Sequence, residues 1–548
     1  MPTHDYLKYF PFPNIRQEQR KAIEFALDAY ESGKKAVLLE MGTGTGKSAT
    51  GITIARYMEM HAPPVRNSDG DLMTGAYVIT TQKILQQQYL DDFGPQSGKG
   101  LVRSIKSSAN YQCKHYTDQT CAESKRVLVK MGKHLKGTEF EKQCKNNCTY
   151  SLEKQDFIES PISITNFSYF LAETTYAGKL EPRALLIIDE CHNIESEVGK
   201  FVEVTFSEKF ARDTLKCKIP RLDTQDAVLE WVRIPYRKAV SKYMRELEKN
   251  MVKLSDQIEG YGEFSKQYEM LDKHICKVNR FLDSYTHDNW VMNISYPPEG
   301  SKRGARKFEF KPVDVAPESQ VLFKSGARLL MMSATVVDKD VFCTSIGLDP
   351  SEVAYLRIPS PFPIENRPIH VVPAGSMSKD NIDRTLPIMA EAVKLLLDKH
   401  PNEKGIIHTT NFKVARYLIE NIMTERFLSH DSANRDEVLR RHIESPDPTV
   451  LISPSMMEGV DLADDASRFQ IICKTPFPYL GDLVVKKRME RNKMWYPYMT
   501  AKAVIQSLGR SIRNEQDHAV SYILDADWQR FYSRNLHMFP EEFKLSFQ

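Results

Sequence analysis

Between Lys35 and Met58 the chain has few conformations open to it. A short apolar run, Ala36-Val37-Leu38-Leu39, has the length and boundaries of a buried strand. Gly42-Thr43-Gly44-Thr45-Gly46-Lys47-Ser48 follows it, and Ile52, Ala55 and Met58 then recur at helical spacing. Glycines set between a strand and a helix are the context of a phosphate-binding loop. They let backbone N–H groups curl around phosphate oxygens, and the helix N-terminus adds its dipole. Lys47 supplies a point charge for the β- and γ-phosphates, and the Ser48 hydroxyl can ligate Mg²⁺. Met41 stands where such loops usually have their first glycine, so Gly42 and Gly44 are expected to carry the turn.

A second site is needed for metal and water. Ala184-Leu185-Leu186-Ile187-Ile188 is another buried-strand run, and it ends in Asp189-Glu190-Cys191-His192. An acidic residue at such a strand end suits a Mg²⁺ ligand, here Asp189, with Glu190 left to orient or deprotonate water. Two carboxylates after a strand are by themselves often a solvated strand end; the upstream loop gives them a purpose. A third run, Arg328 to Met332, leads into Ser333-Ala334-Thr335, whose hydroxyls can couple the nucleotide site to the rest of the molecule.

At 548 residues the chain exceeds one hydrophobic core, and three or four domains of about 150 residues are expected. With 41% hydrophobic and 27% charged residues it reads as globular. Met1 to Phe12 lacks a basic segment followed by an apolar run, so no signal peptide is expected. No apolar stretch approaches the roughly 20 residues of a membrane span. A cytoplasmic location is expected (the nucleus in a eukaryote, the host cytoplasm for a viral protein). There the nine cysteines stay reduced. The net charge of +3 excludes a polycation, so any nucleic-acid contact must come from a local groove. Composition does not separate DNA from RNA.

Together these residues resemble superfamily 2 helicases. Asp189-Glu190-Cys191-His192 is similar to the DEAH-type box, and Ser333-Ala334-Thr335 to motif III. Arg16-Gln17-Glu18-Gln19 resembles the adenine-recognising Q element, which implies that Gln19, with Arg16 close by, reads the base. Gly405-Ile406-Ile407-His408-Thr409-Thr410 resembles motif IV, and Met457-Glu458-Gly459-Val460-Asp461 motif V, which puts Gly459 and Asp461 at the nucleotide. Gln506-Ser507-Leu508-Gly509-Arg510-Ser511-Ile512-Arg513 resembles motif VI. The resemblance implies that Arg510 and Arg513 are arginine fingers, a device worth about 10³–10⁵ in rate, and that Gln506 helps place the water. The closer likeness is to the XPD and DinG helicases. It rests on Leu39-Glu40-Met41 before the loop, Ile164-Thr165-Asn166-Phe167 before the acidic box, and Lys474-Thr475-Pro476-Phe477-Pro478 after motif V. It runs from about Arg16 to Trp528 and is thin between motifs.

Cys113, Cys121, Cys144 and Cys148 cluster, while the other five cysteines are scattered. Read alone, the four suit a structural zinc ion or stay unliganded; zinc sites usually show two tight pairs, and only Cys144 and Cys148 are tight. The XPD/DinG resemblance implies a [4Fe–4S] cluster held by the four thiolates, with a structural role.

The resemblance implies an α/β fold of two RecA-like parallel-sheet motor domains. Residues 1–105, 162–205 and 320–365 would form the first, interrupted by a four-cysteine domain over 106–161 and a mostly helical arch-like insertion over 206–319. Residues 366–548 would form the second. Some fifteen residues precede the Q element, leaving no room for an appended nuclease domain. Lys486-Lys487-Arg488, with Arg491 and Lys493, is a basic run that reads as a solvated helix face, with strand contact as the alternative. The expected activity is ATP-driven 5′→3′ travel on single-stranded and forked DNA by a monomer. Two other readings are an RNA-directed DEAH motor and a nucleotide-gated binding subunit that does not unwind.

Overall fold

The computed structural model describes residues 4–548 except 67–69, 71, 125–135, 178–179, 221–222, 254–257, 297–305, 431–433, 455–461, 463, 510 and 513. Strands are β1 (Ala36–Met41), β2 (Val65–Arg66), β3 (Leu72–Met73), β4 (Ala76–Thr80), β5 (Arg103–Ser104), β6 (Ile162–Asn166), β7 (Arg183–Asp189), β8 (Val204–Ser207), β9 (Trp290–Ser295), β10 (Lys307–Pro312), β11 (Gly326–Ser333), β12 (Val353–Ile358), β13 (Ile369–Gly375), β14 (Gly405–His408), β15 (Phe427–Ser429), β16 (Val450–Ser453), β17 (Phe469–Ile472) and β18 (Val520–Asp525).

The apolar runs become the centre of a seven-stranded parallel sheet, ordered β12-β1-β11-β7-β4-β6-β5. β1 and β7 are buried along their whole length, as strands covered on both faces must be. Alternate side chains serve opposite faces. Val37 and Leu39 pack with Ile23, Leu27 and Ile52 of the helices Gln17–Glu31 and Lys47–His61. Leu38 packs with Ile188, Phe167 and Phe170 on the other side.

A second parallel sheet of six strands, β13-β18-β17-β14-β16-β15, lies in the C-terminal part of the chain. The two parts share apolar core: Met331 and Phe342 of the first belong to one cluster with Tyr498, Ala501 and Val504 of the helix Trp495–Leu508.

The insertion carries long helices, Arg237–Lys253 and Ile258–Ser284, as its composition suggests. They stand on something the sequence reading did not include, a three-stranded antiparallel sheet β8-β10-β9. Alternating burial along β10, with Phe308 and Phe310 inward, anchors a core of Phe206, Trp231, Tyr236 and Phe281. The segment between β5 and β6 holds the four cysteines, with helices Glu139–Asn146 and Thr149–Glu159. Among the described residues no helix is long and apolar enough to cross a membrane.

Candidate nucleotide site and interdomain seam

Sheet order brings three separated motifs to one edge. β11 lies between β1 and β7, with Glu40 opposite Ser333 and Met332 opposite Asp189. The glycine loop, Ser333-Ala334-Thr335 and the acidic box therefore leave adjacent strands at their carboxyl ends, where open α/β sheets bind ligands.

Met41 is still in β1, paired with Ile358 and fully buried, which explains why no glycine is needed there. The turn falls to Gly44 and Gly46, at φ +86° and +80°. Gly42 is required for a different reason: a Cβ on it would lie 2.4 Å from the Ser360 nitrogen. Thr45 Oγ1 donates to the Gly42 carbonyl at 2.7 Å, and Ser360 Oγ to the Thr43 carbonyl at 2.8 Å. Lys47 opens the helix Lys47–His61, its Nζ 3.5 Å from the Met41 carbonyl.

Arg16 and Gln19 reach this loop. Arg16 Nη1 donates to the Gly44 carbonyl. Gln19 Nε2 donates to the Gly46 carbonyl at 3.2 Å, and its Oε1 accepts from the Arg16 N–H at 2.9 Å. The Gln19 amide thus fixes the exit of the loop and lies beside the phosphate cradle.

Asp189 ends β7 and is 4% exposed. Burial first, then the neighbouring Glu190, pushes its carboxyl up to about 6; Lys47 and the Tyr89 hydroxyl pull the other way. Tyr89 donates to Asp189 Oδ2 at 3.0 Å, so a buried phenol holds the carboxylate expected to ligate Mg²⁺. Glu190 adopts φ 51°, which turns it off the strand, and its N–H donates to Asp189 Oδ1 at 3.0 Å. His192 Nδ1 lies 2.7 Å from Ser333 Oγ and 3.3 Å from Glu190 Oε2. The acidic box and the Ser-Ala-Thr segment are thereby in direct contact.

The second sheet domain meets this edge through the helix Trp495–Leu508. Lys502 Nζ donates to the His192 carbonyl at 3.2 Å, and Gln506 on the same helix is 8% exposed. One cavity of about 110 Å³ is lined from both sides: Gly42, Thr43 and Thr335 from the first domain, Leu508 and Gly509 from the second. Arg510, Arg513, Gly459 and Asp461 lie outside the described residues.

Tyr89, Ser360, Phe362 and Lys502 escaped the sequence reading. Phe362 covers the loop so closely that a Cβ on Gly44 would lie 2.2 Å from its ring. The one local signal was Pro359-Ser360-Pro361-Phe362-Pro363, a rigid exit from β12.

Lys486, Arg491 and Lys493 of the basic run are exposed, as a solvated face requires, but Arg488 is enclosed. In the helix Leu483–Arg491, Arg488 Nη1 pairs with Glu195 at 2.7 Å, and Arg491 bonds the Asp288 carbonyl and Asn289 of the insertion.

The four clustered cysteines line one small pocket with no disulfide between them, and among the described residues no carboxylate joins the lining. Burial raises the Cys148 thiol, but hydrogen bonds from Ser151, Cys121 and the Tyr150 N–H outweigh it, and the net is a lowered pKa. Cys121 and Cys148 sulfurs are 3.7 Å apart, yet no three of the four sulfurs lie within 4.8 Å of one another. Four thiolates on one tetrahedral ion, with bonds of about 2.3 Å, would all sit near 3.8 Å apart. Soft sulfur donors around one pocket suit a thiolate-bound metal group.

A phosphate-binding loop on one parallel-sheet domain, faced across a seam by a second, defines a two-domain nucleotide-driven motor protein. Two family models match the chain, Type III restriction enzyme, res subunit, over residues 12–215 and Helicase C-terminal domain over 393–544. It is 22% identical to the ATP-dependent DNA helicase YoaA of Escherichia coli, across 96% of this chain and 93% of that one. With the ATP-dependent DNA helicase DinG of Photobacterium profundum it shares 27% identity over 38% of this chain and 32% of DinG. An XPD helicase structure superposes with a TM-score of 0.60 at 14% identity, covering 96% of this chain and 98% of its own, a likeness of fold. Across nearly its whole length the chain is similar to ATP-dependent DNA helicases, and its two matched family models are those of helicase-type motor halves.

Proposed function

We propose that this protein is an ATP-dependent DNA helicase that moves 5′→3′ along a single strand. The observation that carries the reading is the junction at the strand ends, where the glycine loop and the acidic box leave adjacent strands and Lys502, on the helix that leads to Arg510, donates to the His192 carbonyl. A triphosphate bound there would be touched by both domains, so its hydrolysis would change how tightly they close.

Lys47 and the loop N–H groups hold the phosphates, with Gln19 and Arg16 at the base end of the loop and Gly459 and Asp461 joining from the second domain. Ser48 and Asp189 hold Mg²⁺, which supplies charge neutralisation at the terminal phosphate when bound. Glu190 orients the attacking water and Gln506 helps place it. Arg510 and Arg513 neutralise charge building on the γ-phosphate and let go after cleavage, and the seam opens. The four cysteines hold a [4Fe–4S] cluster that staples a segment with little core of its own. Zinc is the alternative occupant.

The test is strand displacement on 5′- and 3′-tailed duplexes of DNA and RNA, with the visible spectrum recorded on the same anaerobic sample. Unwinding of 5′-tailed DNA by a brown protein is expected. Lys47→Ala should abolish hydrolysis and leave strand binding measurable; retained turnover would refute the loop's role. Preference for RNA tracks would favour the RNA-directed motor, and ATP-dependent binding without displacement the gated binding subunit. A colourless protein containing zinc would overturn the iron assignment.

A further inference from the structure

Val337 is held at φ +70°, a left-handed conformation that a β-branched residue adopts only under constraint. It lies two residues beyond the Ser-Ala-Thr segment, and the group holding it is nearly 300 residues away. Glu40 Oε1 accepts from the Val336 N–H at 2.9 Å and the Val337 N–H at 3.3 Å. Glu40, on the strand that feeds the glycine loop, is 4% exposed. Its Oε2 accepts from the Tyr355 hydroxyl and lies 3.8 Å from Arg357 Nε. Arg357 Nη2 in turn donates to Glu542, in the C-terminal helix Glu541–Leu545. At the other end of the turn, Ser333 Oγ meets His192, which lies against Glu190. One path of hydrogen bonds and ion pairs therefore runs from the C-terminal helix to the carboxylate that directs water.

The path has room to change. Glu40, Arg357 and Glu542 all line the seam cavity of about 110 Å³, which is wide enough to admit water around the guanidinium. Arg357 stands between carboxylates from opposite sides of the seam, and a guanidinium can bridge both or turn wholly to one. If Glu542 withdraws, Arg357 turns to Glu40 and competes with the two valine N–H groups for its oxygens. The strained turn then loses its support.

We propose that Glu40, Arg357 and Glu542 form a switch that couples closure of the seam to the Ser-Ala-Thr turn, and through it to Glu190. The switch deepens the motor reading and rests on it. Glu40 and Arg357 act in it as positioning residues.

The test compares the full-length wild type with Glu542→Gln, Arg357→Gln, the pair, and Glu542→Asp. Amide hydrogen exchange of nucleotide-free protein over residues 334–338 reads the turn. The ratio of strand-stimulated to unstimulated ATP hydrolysis reads its use. E542Q should raise exchange roughly tenfold and lower the stimulation ratio about fivefold, at the low end of measured coupling between sites. Unstimulated hydrolysis should stay within about twofold of wild type, E542D should retain most of the ratio, and R357Q, which removes the competing guanidinium, should return the E542Q exchange toward the wild-type rate in the pair. Unchanged exchange in both single variants overturns the switch; so does raised exchange with an unchanged ratio, or losses that simply add in the pair. A wild type whose hydrolysis no strand stimulates sinks the motor reading instead, and the exchange arm still decides whether the turn is held as described.

Discussion

Removing Arg488 tests how the halves of the molecule are joined. Its Nη1 lies 2.7 Å from Glu195 Oε1, and the two side chains are only 16% and 12% exposed. Arg488 Nε also donates to the Val313 carbonyl at 2.7 Å, while Trp495 Nε1 donates to Glu195 at 3.2 Å. A solvated pair would be worth about 0–1 kcal/mol. A pair this enclosed behaves differently, because Arg488→Ala leaves the Glu195 carboxylate in a poorly hydrated site with the indole N–H as its named remaining donor. An uncompensated buried charge costs about 3–5 kcal/mol, and an orphaned carbonyl about 1 kcal/mol more. We expect a loss of about 4 kcal/mol. Adding Glu195→Gln removes the stranded charge and keeps an acceptor for Trp495, so the double variant should recover roughly half of that loss. Urea unfolding followed by tryptophan fluorescence, with wild type and three variants closed into a cycle, measures both numbers. A loss below about 1 kcal/mol for R488A, or strictly additive losses in the double variant, would show that the basic helix is a solvated face after all.

Three further perturbations bear on separate parts of the molecule. Gly44→Ala combines a disfavoured φ with overlap on the Phe362 ring, and should weaken binding of a fluorescent ATP analogue at least about tenfold; unchanged affinity would refute the loop geometry. Buried His442, between Thr449 Oγ1 and the Ala466 carbonyl at 2.8 Å each, has its pKa pushed down to about 4, chiefly by burial. Because the folded value lies below the ordinary imidazole value of about 6.5, the stability it allows is complete above about pH 6.5 and is lost as pH falls toward 4, by about 3 kcal/mol over the full window. His442→Gln should flatten the pH dependence of the unfolding midpoint, and identical slopes in the two proteins would refute the assignment. Cys121→Ser should strip the bound metal, read by elemental analysis, and lose strand separation before ATP hydrolysis; a metal content equal to wild type would remove Cys121 from the ligand set.

What the chain determines by itself is local. A strand-sized apolar run followed by alternating glycines and Lys47 forces a phosphate-binding loop, because φ values above zero and helix initiation are decided within a few residues. Asp189 was legible for the same reason, as the polar end of a run that must be buried. The sheet beneath the insertion was less so: Val204–Ser207 and Lys307–Pro312 alternate, but they are short and lie about 100 residues apart in sequence. The tertiary structure alone decided that Glu40 supports a turn at Val337, that Tyr89 holds Asp189, and that Arg488 pairs across the molecule with Glu195. Such partnerships depend on strand order and on which surfaces meet. No local pattern records them, since a buried carboxylate and an exposed one are the same letter until the chain has folded around one of them.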